Sequence, residues 1–135
     1  MPSSKKAITQ MLAFLPEHRT NVVDLGSGWG GVLRAVPKGY RKKGYEISPI
    51  PYLWSKLRGL PVEWKDFFSL SLSEADVIFC YLCPEVMKKL EPKLKRELAK
   101  GVIVISNTFA IPGWKPVQVV ELDDLYRSQI FFYLT

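Results

Sequence analysis

The sequence predicts an α/β protein: a doubly wound three-layer sandwich whose mostly parallel sheet is closed by a C-terminal antiparallel hairpin. Three observations carry this. Short β-branched runs alternate with segments of helical period between residues 21 and 106, the signature of a parallel sheet with helices on both faces. A glycine-dense turn, Gly26 to Gly31, follows the first run at once. The last two runs, 117–122 and 129–134, stand six residues apart, too close for a crossover helix, so they are expected to pair antiparallel. No domain boundary or internal repeat interrupts the 135 residues. One domain spanning 1–135 is the expectation, enough to bury roughly two-thirds of the surface of the unfolded chain.

The elements follow in order. Ile8, Met11, Leu12 and Leu15 are spaced as one helix face within residues 4–15. Ser3 or Ser4 can cap that helix, and Pro16 is expected to end it. The loop 17–20 holds the sole histidine, His18, to which no chemistry is assigned. The first strand is Asn21 to Leu25. A short helix from Gly31 stops before Pro37-Lys38-Gly39. The second strand runs from about Lys42 to Ile47, a helix covers Ile50 to Arg58, and the third strand is Val62 to Trp64. Only a weak crossover leads to the apolar run Val77 to Leu82, which reads as a central strand. Pro84 to Lys100 reads as helix, kinked or restarted at Pro92. Val102 to Ser106 completes the parallel part.

Composition bounds the function. With 47% hydrophobic and 24% charged residues the chain is ordinary for a soluble globular protein. No apolar stretch reaches the ~20 residues of a membrane span. The N-terminal residues do not read as a secretory signal, so the cytoplasm is the expected compartment. The net charge of +6 favours acidic partners, nucleic acid included, only weakly. The charges of residues 88–100 read as a solvated helix face. Cys80 and Cys83 lack the further ligands of a structural zinc site, and no metal is expected. Two small buried residues at a strand end are preferred over a redox pair.

The chemistry gathers at Val22-Val23-Asp24-Leu25-Gly26-Ser27-Gly28-Trp29-Gly30-Gly31. A buried strand there runs into a turn too tight for side chains, and the helix behind it points free N–H groups at an occupant. Gly26-x-Gly28-x-x-Gly31 formally fits a dinucleotide fingerprint, with Glu46 twenty residues after Gly26. Asp24 argues otherwise, since it would lie against a pyrophosphate, and the chain has no second mononucleotide half. S-adenosylmethionine carries no phosphate. Asp24 can help hold its ammonium group through Gly26, Ser27, Gly28 and Gly30. Glu46 can accept both ribose hydroxyls, Asp66 the adenine amino group, and the N–H of Phe67 can donate to the ring. Three acids ending three successive strands line the sheet edge where such folds bind ligands.

On these residues the sequence resembles the seven-stranded, Rossmann-like class I S-adenosylmethionine-dependent methyltransferases over almost its full length. Asp24 to Gly30 matches their first motif, Tyr45-Glu46-Ile47 the second and Asp66-Phe67 the third. Tyr81-Leu82-Cys83-Pro84-Glu85-Val86, Pro92-Lys93-Leu94 and Ser106 to Trp114 are similar to a compact branch. That branch holds small prokaryotic methyltransferases, an archaeal protein-lysine methyltransferase, and mitochondrial enzymes acting on the ATP synthase c subunit and the adenine nucleotide translocase. Trp29 departs from it, standing where the branch commonly has an acid.

The resemblance implies methyl transfer to a protein lysine amine, releasing S-adenosylhomocysteine. RNA or a small molecule as acceptor, or a module that binds the cofactor without turnover, are the alternatives. Tyr81, which also borders the cofactor, and Pro84, Asn107, Phe109 and Trp114 are the candidates for the acceptor mouth. Packing under the hairpin is the competing role for Phe109 and Trp114. Cys83 stands within the position where base-amino methyltransferases carry an Asn-Pro-Pro-Tyr or Asp-Pro-Pro-Tyr signature, so a nucleic-acid acceptor is not favoured. The resemblance also implies that residues 1–20, with Ser3, Ser4 and the first helix, form a lid over the cofactor.

Overall fold

The computed structural model describes residues 3–17 and 20–135; the reading of His18 and of the first two residues lies outside them. The helices are α1 (Lys5–Ala13), α2 (Gly31–Ala35), α3 (Pro49–Leu57) and α4 (Pro84–Glu97). The strands are β1 (Asn21–Leu25), β2 (Arg41–Glu46), β3 (Val62–Trp64), β4 (Val77–Cys80), β5 (Ile103–Asn107), β6 (Gln118–Glu121) and β7 (Gln129–Leu134). They form one seven-stranded sheet in the order β3-β2-β1-β4-β5-β7-β6. β1 to β5 run parallel, while β7 pairs antiparallel with both β5 and β6.

β4 is the most deeply buried strand, and its alternation feeds both faces. Ile78 and Cys80 join Met87, Leu90 and Leu94 of α4 on one face; Val77 and Phe79 join Ala7 and Met11 of α1 and Val32 of α2 on the other. The chain order reverses between β1 and β4, so the C-terminal ends of these two adjacent strands form the switch-point crevice.

Several boundaries differ from the sequence reading for local reasons. α1 ends three residues before Pro16, because the N–H of Phe14 turns back to the Met11 carbonyl at 3.2 Å and its ring stacks on Phe132. α4 runs through Pro92 without a restart. The proline lies on the exposed side, and burial of Leu90 and Leu94 around it holds the helix to the sheet. The crossover from β3 to β4 contains only the 3₁₀ turn Phe67–Ser69. Here the charged run of α4 is more than a solvated face. Lys93 is buried, and its ammonium donates to the Leu70 carbonyl and to Glu97 Oε2 at 2.7 Å. Glu97 Oε1 accepts from the Leu72 N–H at 2.8 Å. This pair pins an irregular segment where the other crossovers have helices.

Candidate active site

The glycine turn brings β1 and β2 together. Ser27 N–H donates to the Tyr45 carbonyl at 2.9 Å, and Gly28 N–H donates to Glu46 Oε1 at 2.6 Å. Glu46 Oε2 accepts from the N–H groups of Ile47 and Ser48 at 3.0 and 2.9 Å. A carboxylate offers about four acceptor positions, so three are already taken by backbone. Glu46 thus fixes the turn, and the two ribose hydroxyls the sequence predicts for it would have to displace or share the bond to Gly28.

Gly26 and Gly28 have φ of 66° and 55°, which a side chain resists. A Cβ on Gly26 would also stand 2.9 Å from Leu82 Cδ2. Gly30 differs from the expectation. It borders neither cavity described below; its absent side chain lets Ser55 and Leu60 pack in, where a Cβ would lie 2.4 Å from Leu60 Cδ1. Gly44, which the sequence reading passed over, has a similar task. A Cβ there would meet Leu33 at 2.5 Å and Ser27 at 2.8 Å, so a glycine inside β2 lets the turn settle onto the strand.

Two cavities meet at Gly26. The larger, about 390 Å³, is bordered by Tyr45, Glu46, Asp66, Phe67, Leu82 and Val86 among others. Asp66 is exposed and caps the 3₁₀ turn, its Oδ1 accepting from Phe68 N–H at 3.0 Å. Phe67 occupies the first position of that turn, where a helical turn leaves its N–H free. Leu82 and Val86 add an apolar wall that the sequence reading missed; their i, i+4 spacing past the end of β4 was the available signal.

The smaller cavity, about 50 Å³, lies between the turn and α1 and is bordered by Ser3, Met11, Asp24, Ser27, Trp29 and Tyr81 among others. Asp24 is buried there, and desolvation with the nearby Glu46 charge raises its pKa from 3.8 to about 8. Ser27 Oγ is buried beside it without a hydrogen-bond partner among the described residues. Cys80 is buried, its pKa pushed up to about 12 chiefly by burial, which leaves it no thiolate chemistry. Cys83 corrects the sequence reading: it is exposed, because it is the N-cap of α4.

The acceptor candidates separate. Tyr81 borders the small cavity and also a further cavity of about 240 Å³ formed with Thr108 and the β6–β7 turn, including Tyr126, Arg127, Ser128 and Gln129. The rings of Tyr81 and Phe109 stack 6.3 Å apart. Asn107 is buried and committed: Nδ2 donates to Ser3 Oγ and Oδ1 accepts from Thr108 Oγ1, both at 2.9 Å. It holds the N-terminal segment against the small cavity. Pro84 is the exposed first residue of α4 and borders none of these three cavities. Trp114 is not at the mouth. Its indole N–H donates to Glu91 Oε1 at 3.2 Å and its ring meets Tyr133 edge-on at 5.9 Å, because the 107–117 connection folds back over α4. Packing under the hairpin is its role.

S-adenosylmethionine fits these residues. The unpartnered Ser27 hydroxyl and the buried Asp24 carboxyl both want a polar, cationic partner, and the Cβ-free turn admits one. The larger cavity joins an apolar wall to carboxylates, as an adenosine requires. Among the described residues, no group of three or more His, Cys, Asp or Glu could hold a metal ion.

Comparison with known proteins points the same way. The model of the ANTKMT methyltransferase domain matches residues 24–118. The chain is 30% identical to a protein-lysine N-methyltransferase of Saccharolobus islandicus over 92% of this chain and 84% of that one. It is 32% identical to the adenine nucleotide translocase lysine N-methyltransferase of Mus musculus, over 87% of this chain and 56% of the mouse protein, so it spans about half the length of that relative. Among solved structures, an RNA methyltransferase from Salinibacter ruber with S-adenosyl-L-homocysteine bound superposes with a TM-score of 0.87. That match has 29% identity and covers 99% of this chain and 93% of the other. The chain therefore belongs to the ANTKMT methyltransferase domain family and is an S-adenosylmethionine-dependent methyltransferase.

Proposed function

We propose that the methyl acceptor is a lysine amine of a protein, reached through the 240 Å³ cavity on the far side of Tyr81. The observation that carries this reading is the position of Tyr81, one side chain bordering both that cavity and the small donor cavity. The Saccharolobus relative, named a protein-lysine N-methyltransferase and of comparable length, supports the substrate class.

The cofactor, when bound, supplies an electrophilic methyl on a sulfonium. The protein's own residues supply alignment, since in-line displacement needs the attacking nitrogen held near and opposite the leaving sulfur. A lysine must arrive neutral, which without help costs about 4–5 kcal/mol at pH 7. The acceptor cavity is bordered by Tyr81, Thr108, Tyr126, Arg127, Ser128 and Gln129, with no carboxylate or histidine among them. In place of a base, Arg127 disfavours a second positive charge, and the stacked Tyr81–Phe109 pair replaces water with aromatic surface. Both lower the amine's pKa. The same aromatic faces attract the methylated cation that forms.

Ser3 and Met11 border the donor cavity, and Asn107 anchors Ser3, which supports a covering role for the N-terminal segment. The proposed setting is the cytoplasm, supported by the free thiols of Cys80 and Cys83. The Salinibacter neighbour favours RNA as a second reading. Incubation with cell extract and labelled cofactor separates the two, followed by mass spectrometry. Methyl groups on lysines of protein support the proposal. Label confined to RNA contradicts it.

A further inference from the structure

α3 is an amphipathic helix turned inside out. Ile50, Leu53, Trp54 and Leu57 follow the i, i+3, i+4, i+7 rule of a buried stripe. Yet Ile50 is 69%, Leu53 56% and Leu57 84% exposed, and the only buried residue of the helix is Ser55. The inward face is made small because the glycine turn must approach it: Ser55 Oγ donates to the Gly28 carbonyl at 3.4 Å, and Gly30 packs on the same serine. Flanking side chains extend the outward face. Trp29 meets Trp54 edge-on at 6.4 Å, Trp64 stacks on Tyr52 at 6.0 Å, and Ile47 and Trp64 are more than half exposed. Isolated apolar residues on a surface need no explanation, but a contiguous set of this kind does.

Its charge is one-sided. Residues 47–60 contain Lys56 and Arg58 and no acid, and the Arg58 guanidinium sits 5.7 Å over the Trp54 ring. Of the neighbouring acids, Glu63 is paired with Lys43 and Lys65, and Asp66 caps its own turn. A second copy of the chain docking here about a two-fold axis would set Lys56 and Arg58 against a like-charged copy. A stable protein interface also needs roughly 20–30 residues a side, more than this short helix and its flanks supply. A lipid surface has no such minimum, because each inserted side chain adds to partitioning. Exposed indoles beside Leu and Ile, with cations at the rim, are the composition that seats at a headgroup boundary.

We infer that the outward face of α3, with Trp29 and Trp64 at its margins, docks this methyltransferase peripherally on an anionic phospholipid surface. Trp29 and Ile47 also border the donor and adenosine cavities respectively, so the docked surface adjoins the cofactor cleft. This accounts for a tryptophan in the glycine turn, for which local pattern offers no reason. The inference is independent of which acceptor the enzyme uses.

The test is sedimentation of the full chain with vesicles of phosphatidylglycerol and phosphatidylcholine, against phosphatidylcholine alone, with tryptophan emission recorded. Binding to the anionic vesicles with a blue shift is expected, weakening as salt is raised. Ile50→Ser/Leu57→Ser should weaken it at least tenfold, and Lys56→Gln/Arg58→Gln roughly fivefold for each charge removed. These residues border no cavity of the site, so affinity for S-adenosylhomocysteine should stay unchanged and report an intact fold. No binding of the parent protein at low salt overturns the inference, as does undiminished binding by Ile50→Ser/Leu57→Ser. A dimer by light scattering that this double variant dissolves also overturns it, by assigning the face to a second copy.

Discussion

The donor and acceptor halves of the site are built by different means. On the donor side most polar groups lie at or just past strand ends or in the turn welded between two strands, with Ser3 of the N-terminal segment added, and Glu46 alone is tied to three backbone N–H groups. On the proposed acceptor side the cavity is closed by Thr108 and by a turn whose Leu125 and Tyr126 are largely exposed. Thr108 and Arg127 both adopt positive φ, 70° and 47°, unusual for residues other than glycine. The donor is one invariant molecule and can be met by rigid backbone. The proposed acceptor cavity is left to loops, which a family can vary without disturbing the sheet.

The sharpest way to break this contrast is at Glu46. Glu46→Ala removes the proposed ribose partner and leaves the Gly28, Ile47 and Ser48 N–H groups without their acceptor. A loss of about 2–4 kcal/mol in cofactor binding is expected, roughly 30- to 1,000-fold in Kd by calorimetry. Labelling that survives at parent levels would refute the ribose assignment.

Gly30→Ala tests whether that glycine is structural. With φ at 83° and a Cβ 2.4 Å from Leu60, it should cost about 1–3 kcal/mol of stability. The melting temperature should fall, while the residual folded protein still binds S-adenosylhomocysteine. Parent-like melting would show that the turn relaxes.

The Asp24 carboxyl gives a pH signature confined to the donor half. Its folded pKa, about 8, lies above its unfolded value of 3.8. The folded protein therefore holds the proton more tightly, and this contribution to stability is fully present below about pH 4 and is lost as pH rises to about 8. The cofactor-free parent should lose melting temperature across that window relative to Asp24→Asn. The proposed contact with the cofactor's ammonium group favours ionised Asp24, so affinity should rise with pH in the parent up to about pH 8, where the amino group itself begins to lose its charge, and should not rise in the variant.

The smallest effect is expected at Arg127. Its guanidinium is exposed, so Arg127→Gln should move the methylation pH profile upward by less than about one unit, with cofactor affinity unchanged. A shift downward would remove Arg127 from the proposed tuning of the acceptor amine.

The same division explains what the sequence could reveal. The mostly parallel sheet, the terminal hairpin and the placing of Asp24, Glu46 and Asp66 at or just past the ends of β1, β2 and β3 were legible because each depends on local pattern: β-branched runs, a glycine-dense turn and carboxylates at strand ends. Trp114 and Phe109 were equally aromatic in the sequence and only five residues apart. The folding back of their connection over α4 sent one to Tyr133 and the other to Tyr81. Lys93 was hidden in a charged run because its burial depends on a missing crossover helix elsewhere. Gly44 mattered through contacts with Leu33 and Ser27, which no spacing within β2 encodes.

Tyr81 is the side chain at which the donor cavity and the proposed acceptor cavity meet. Tyr81→Ala should be measured in parallel for S-adenosylhomocysteine affinity and for single-turnover methyl transfer to a lysine-bearing acceptor. Affinity within about threefold of the parent is expected, with transfer slowed at least about 100-fold, because alignment is lost while the donor carboxylates remain. Equal losses in both, or transfer at the parent rate, would contradict it.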